Sequence, residues 1–176
     1  MTGTKNRTAA RATVVGLAAA LLAGAQAGSA SAAPWVADKV RIKAGNGQNE
    51  CATEFERASR PIVLQRCDTD DLRGNWRIIP WNEHGYFMAK NWASGECLTA
   101  GPQPSEQVYT LPCDRSNGGQ QWIFDCSNGH LMSAGPTTLL TWWNDNKVSA
   151  RFFSPELKAK QSWNVVPRPG PCALGG

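Results

Sequence analysis

The sequence lacks any apolar run long enough to cross a membrane, has only two histidines, and carries no acidic residue before Asp38. Its one extended apolar stretch, TVVGLAAALLAGAQA from Thr13 to Ala27, falls short of the roughly twenty residues a helix needs to span the hydrocarbon. Lys5, Arg7 and Arg11 precede it, and GSASAAP, with Ala30-Ser31-Ala32, follows it. A basic head, a short apolar middle and a small-residue exit predict a secretory signal peptide over residues 1–32, cleaved near Ala32. The expected location is extracellular, with no membrane span.

A strong excess of charge of one sign is missing as well. The chain has 18 Lys and Arg against 14 Asp and Glu. Three of those cations lie in the leader, so the mature chain holds fifteen against fourteen. Near-neutrality argues against nucleic acid as a partner, because that affinity rests on phosphate neutralisation. With His84 and His130 alone, no nucleophile motif and no glycine-rich phosphate loop, nothing points to an enzyme or a cofactor. The acids of DTDD at 68–71 sit in a turn-rich loop and read as solvated charge rather than a glycosidase pair. No window carries an amphipathic helical stripe across three turns.

What is present is repetition. Residues 40–78 lie over residues 86–124 at an offset of 46 without a gap. ECAT at 50–53 meets ECLT at 96–99, Cys67-Asp68 meets Cys113-Asp114, and Trp76 meets Trp122. Both copies separate their cysteines by 16 residues and place a tryptophan nine after the second. A degraded third copy ends in QSW at 161–163, where QQW stood at 120–122. Counting back from Trp163 puts Thr138 and Ser154 at its cysteine positions. Short strand-like runs recur in each unit: KVRI, GYFMA and GHLMS open them, PIVLQRC, QVYTLPC and KVSARFF lie midway, and NWRIIPW, QWIFDC and SWNVVP close them. The fold class is all-β, built from three units that pool their apolar faces into one core.

Paired cysteines in two units, Q-x-W at 120–122 and 161–163 and a degenerate Gly74-Asn75-Trp76, in a chain with an export signal, resemble the ricin B-type lectin family. The resemblance implies a β-trefoil over 33–167, with repeats at about 36–80, 81–126 and 127–167, followed by a tail at 168–176. Trp76, Trp122 and Trp163 are then core residues. Gln120 and Gln161 occupy the family's organising glutamine position, which Gly74 fills in the first unit.

The cysteines are spaced too widely for a C-x2-4-C zinc pair, and no metal is expected. No local signature marks a catalytic thiol. Repeat symmetry selects the pairs Cys51–Cys67 and Cys97–Cys113, which leaves Cys126 and Cys172 to pair by elimination. Cys172 lies in RPGPCALGG and could bond to a partner chain instead.

In the family a competent sugar site takes an Asp two residues after the first cysteine, an aromatic two before the second, and an Asn before Q-x-W. Here the first position reads Thr53, Thr99 and Leu140, the second Gln65, Leu111 and Phe152, and the third Arg73, Gly119 and Lys160. A threonine can accept a hydrogen bond but cannot give the charge-assisted, bidentate pairing of a carboxylate. The family's galactose mode is therefore expected to be weak or absent. TWWNDN at 141–146 instead gathers Trp142 and Trp143 with Asn144, Asp145 and Asn146. Strand alternation should send the two rings to opposite faces and expose one of them. Trp92, in KNWASGEC, is a second candidate ligand platform.

Two function classes stay open: a secreted, non-enzymatic carbohydrate-binding module, or a protein-binding trefoil that serves as the delivery or receptor-binding subunit of a secreted multi-subunit toxin. The partner is a glycan in the first and a protein in the second. A trefoil protease inhibitor is a third class, against which Q-x-W speaks.

Overall fold

The computed structural model describes residues 37–82 and 84–167. The expected signal peptide, Trp35, the C-terminal tail and Cys172 lie outside the described residues. Among the described residues, twelve short strands form the framework, joined by turns and loops. The first repeat holds β1 (Ala37–Ala44), β2 (Glu50–Glu54), β3 (Ile62–Arg66) and β4 (Trp76–Pro80). The second holds β5 (Phe87–Asn91), β6 (Cys97–Thr99), β7 (Tyr109–Leu111) and β8 (Trp122–Asp125). The third holds β9 (His130–Ser133), β10 (Leu139–Trp142), β11 (Val148–Arg151) and β12 (Trp163–Val166). A 3-10 turn precedes the last strand of each: Leu72–Gly74, Gly118–Gln120 and Pro155–Gln161.

All pairings are antiparallel. The first and last strands of the repeats form the barrel wall, through β1–β4, β4–β5, β5–β8, β8–β9 and β1–β12. The amide of Trp163 donates to the Gly129 carbonyl at 2.8 Å, joining the start of β12 to the residue before β9. The middle strands form three hairpins, β2–β3, β6–β7 and β10–β11. Each hairpin touches the other two through the bridges Pro61↔Tyr109, Val63↔Lys147 and Gln107↔Ser149. This is a β-trefoil, and wall closure leaves little open sheet edge.

The chain makes strands where apolar residues alternate or run briefly between turn formers. The nine strand-like runs legible in the sequence are all strands. Three others, β2, β6 and β10, were not separated from their neighbours because each is short and two begin at or beside a cysteine. One core serves all three repeats. Trp76, Trp122 and Trp163 are fully buried there, among Ile42, Ile62, Ile78, Phe87, Leu98, Leu131 and Leu140. Each indole N–H donates to the backbone carbonyl of the hairpin strand in its own repeat: Trp76 to Ala52 at 3.1 Å, Trp122 to Leu98 at 2.9 Å and Trp163 to Leu140 at 2.8 Å. A buried indole would otherwise leave an unsatisfied donor, so three identical bonds set three identical ring positions.

Two disulfides close the first two hairpins at their open ends. Cys51–Cys67 and Cys97–Cys113 each span 16 residues with Cα atoms 5.0 Å apart. Cys126 is also disulfide-bonded. The third repeat has no cysteine at the matching positions.

Strand register corrects the reading of that third repeat. Leu139, opposite Arg151, corresponds to Cys97, opposite Leu111. Thr141, not Leu140, therefore matches Thr99, and Arg151, not Phe152, matches Leu111. Counting back from Trp163 failed for a geometric reason. The third hairpin joins Thr141 to Ser149, eight residues apart, where the second joins Thr99 to Tyr109, ten apart. The longer 3-10 segment Pro155–Gln161 then restores only one of the two missing residues.

Candidate functional site

The corrected register brings three threonines to one equivalent position. Thr53, Thr99 and Thr141 are buried, and each hydroxyl donates to the carbonyl two residues earlier: Cys51 at 3.1 Å, Cys97 at 2.8 Å and Leu139 at 3.0 Å. In the second and third repeats the same oxygen accepts from glutamine, Gln120 Nε2 at 3.1 Å and Gln161 Nε2 at 3.3 Å. Gln120 Nε2 also donates to the Pro112 carbonyl, and its Oε1 accepts the Asp114 amide. Gln161 repeats the pattern with the Phe152 carbonyl and the Ser154 amide. The position where a sugar-binding relative would present a carboxylate is thus occupied by a buried hydroxyl already committed to the scaffold.

In the first repeat Gly74 has no side-chain amide to reach Thr53, and a Cβ there would stand 3.3 Å from Thr53 Oγ1. Asn75 takes over the tethering of that loop. Its Nδ2 donates to the Asp71 carbonyl at 2.7 Å and to the Thr69 carbonyl at 3.3 Å. DTDD has the same structural character. Asp71 caps the 3-10 turn by accepting the Arg73 amide at 3.0 Å, and it pairs with the Arg73 guanidinium. Burial pushes the Asp71 carboxyl up, but the bonds and charge of Arg73 outweigh it and hold it below the ordinary value. Among the described residues, no group of three or more His, Cys, Asp or Glu could hold a metal ion. No helix among them is long and apolar enough to cross a membrane.

The residues of TWWNDN form the turn of the β10–β11 hairpin. Alternation along β10 separates the two rings. Trp142 packs against the core. Trp143 faces a cleft of about 440 Å³ lined by Ser105, Gln107, Asn144, Asp145, Arg151 and Lys160. The turn holds this ring in place from several sides. The Trp143 amide donates to the Lys147 carbonyl at 3.0 Å, and the Asn146 amide returns to the Trp143 carbonyl at 3.0 Å. Asn146 adopts the left-handed φ of 63° that the tight turn requires and that asparagine tolerates. The indole N–H donates to the Ser149 hydroxyl at 2.8 Å. Asp145 accepts from Lys147 Nζ at 2.6 Å, and that bond lowers its carboxyl below the ordinary value.

Trp143, Asn144 and Asp145 therefore share one cleft, while Trp142 and Trp92 do not line it. Trp92 lies in the turn after β5, where the Arg77 guanidinium stands 4.8 Å from its ring centroid. Arg151 and Lys160, by contrast, approach Trp143, at 5.3 Å and 5.0 Å from the ring centroid. Sequence reasoning placed Lys160 at the position before Q-x-W and missed Arg151. A count that allowed for a shorter third hairpin would have found it.

Fold and scaffold together define a lectin-type trefoil whose conventional carboxylate position is empty of carboxylates. The ricin-type β-trefoil lectin domain matches residues 38–163, and the chain belongs to that family. No curated protein matched the sequence. Among solved structures, the designed three-fold symmetric protein ThreeFoil is similar at a TM-score of 0.63 and 15% identity, over 73% of this chain and 97% of that one. The Polyporus squamosus lectin, bound to the epitope Neu5Aca2-6Galb1-4GlcNAc, is similar at 0.65 and 17%, over 73% of this chain and 48% of that one. A chain of the Haemophilus ducreyi cytolethal distending toxin is similar at 0.59 and 14%, over 79% and 89%. At such identities the likeness concerns the fold alone.

Proposed function

We propose that this protein is a secreted, non-enzymatic carbohydrate-binding module that recognises its glycan in the cleft beside Trp143 and not through the family's galactose constellation. The observation that carries this reading is Trp143 itself, an indole pinned by Ser149 at the edge of a cleft lined with hydroxyl, amide and charged groups. Sugar recognition combines an aromatic surface with polar groups that pair with hydroxyls. Ser105, Gln107 and Asn144 supply the latter, and all three are exposed. The three buried threonines support the negative half, since their hydroxyls serve the backbone.

The test is a glycan array on the secreted protein, followed by calorimetry with each hit. Binding that Trp143→Ala abolishes, with the fold intact, is the expected result. Micromolar galactose binding lost on Thr99→Ala and retained in Trp143→Ala would overturn the assignment.

A second reading has its own observation. The likeness to two cytolethal distending toxin chains extends over most of their length, 89% for that of Haemophilus ducreyi and 94% for that of Actinobacillus actinomycetemcomitans. A trefoil of this extent could serve as the delivery or receptor-binding subunit of a secreted toxin. Affinity capture from culture supernatant decides between the two. Recovery of a stoichiometric enzymatic partner favours the subunit, and recovery of the chain alone favours the stand-alone module.

A further inference from the structure

In each repeat a cleft touches the residue that precedes the Q-x-W position; the first two also take in the turn of the following repeat, and the third takes in Ser105 and Gln107 from the second hairpin. Arg73 lines the first, Gly119 the second and Lys160 the third. Their electrostatics differ. The first cleft holds Glu54, Glu56 and Asp71 with Arg57, Arg60 and Arg73, and its charges are largely paired internally. Arg73 faces Asp71 and Glu56, and Arg60 stands near Glu54 and Glu96. The second cleft is lined by Thr99, Tyr109, Asn117 and a run of glycines and prolines, and has no charged side chain.

The third cleft is cationic. Lys147, Arg151 and Lys160 line it against the single carboxylate of Asp145, and that carboxylate is taken by Lys147. Among the described residues, neither Arg151 nor Lys160 has a carboxylate partner. Both sit about 5 Å from the Trp143 centroid. An aromatic ring attracts a cation through its quadrupole, but it does not saturate the guanidinium and ammonium donors. Two cations oriented on one fixed ring, with open donors and no carboxylate paired to either, form a receptor for an anion. The exposed hydroxyl and amides of Ser105, Gln107 and Asn144 line the same cleft and suit a polyol attached to that anion.

We propose that the third-repeat cleft binds an acidic saccharide, with Arg151 and Lys160 pairing with its sulfate or carboxylate group and Trp143 holding the two cations in position. The inference rests on the carbohydrate reading above and specifies the charge class of the ligand. Arg151 presents a planar fork that matches a two-oxygen acceptor, and Lys160 a point charge that tolerates either geometry. Binding should weaken as salt rises, because the attraction is ionic and the cleft is open to solvent.

The test is calorimetry on the secreted protein with three matched forms of one lactosamine: neutral, sulfated and sialylated. At least one acidic form should bind about tenfold or more tightly than the neutral form, as charge-assisted hydrogen bonds imply. Arg151→Gln and Lys160→Gln should each remove that preference while leaving the thermal midpoint in place. The two acidic forms distinguish sulfate from carboxylate recognition. Equal binding of neutral and acidic forms, unmoved by either substitution, would overturn the proposal and leave the carbohydrate reading intact. Absence of binding to any glycan would remove both. Inorganic sulfate or a short oligonucleotide held as tightly as the acidic saccharide would show a bare anion site and overturn the saccharide assignment.

Discussion

Gln120 Nε2 lies 3.1 Å from Thr99 Oγ1, and both residues are buried. The bond spans the hairpin strand β6 and the turn before β8, so it ties the two halves of the second repeat together. Gln161 and Thr141 repeat it in the third. The same pair serves the scaffold, because it commits to the fold the hydroxyls of Thr99 and Thr141.

Gln120→Ala would take the partner from the part-buried Asp114 amide and Pro112 carbonyl, and would leave the buried Thr99 hydroxyl only its bond to the Cys97 carbonyl. Each buried group left unpaired costs about 1–3 kcal/mol, less where water enters. A loss of about 2–4 kcal/mol in urea unfolding is expected. Gln121→Ala, at a half-buried neighbour that makes one exposed bond to the Arg115 carbonyl, should cost under about 1 kcal/mol.

Glu54 is a buried acid that joins the first two repeats. One oxygen accepts from Ser94 Oγ at 2.6 Å and from Thr110 Oγ1 at 2.7 Å, while Arg60 stands 3.8 Å from the other. Glu54→Ala removes the acceptor from two hydroxyls and should destabilise by about 2–4 kcal/mol. Glu54→Gln keeps one acceptor oxygen and should cost less. Chemical denaturation of the two variants, compared with wild type, checks the order.

The Cys97–Cys113 bond closes a loop of 16 residues. Chain entropy assigns such a crosslink about 3 kcal/mol. Replacing both cysteines with serine should lower stability by about that amount and leave the circular dichroism spectrum of the folded state unchanged.

His130 links stability to pH. Burial pushes its imidazole below the ordinary value near 6.5, against the charge of Asp125, which pulls it up, and with that of Lys158, which pushes it down. The folded state therefore favours the neutral ring. Its contribution is full above about pH 6.5, shrinks as the unfolded chain takes up a proton, and is lost once pH falls through the lowered folded value. Urea midpoints should decline across that window in wild type, and His130→Asn should flatten this part of the profile.

Much of the fold was legible in the sequence because it repeats. An offset of 46 aligned Cys97 with Cys51 and Trp122 with Trp76, and those residues recur because each repeat must bury the same ring and staple the same hairpin. Alternation continued past β10 anticipated that Trp142 and Trp143 would part, but not that both would be half-buried and neither exposed. The third repeat resisted, since a hairpin two residues shorter and a 3-10 segment longer than its counterparts shift the count without leaving a cysteine to mark the place.

By itself, the sequence determined an all-β chain of three repeats: local patterning sets strands, and two tryptophan-ended cysteine repeats with a third degraded copy set the number of units, while the trefoil was what the family resemblance implied. Only the tertiary structure decided that Arg151 and Lys160 meet over Trp143. They come from β11 and from the turn before β12, and nothing local says that two such segments close on the β10–β11 turn. Barrel closure brings them there, because burying Trp163 fixes where the chain before it must run.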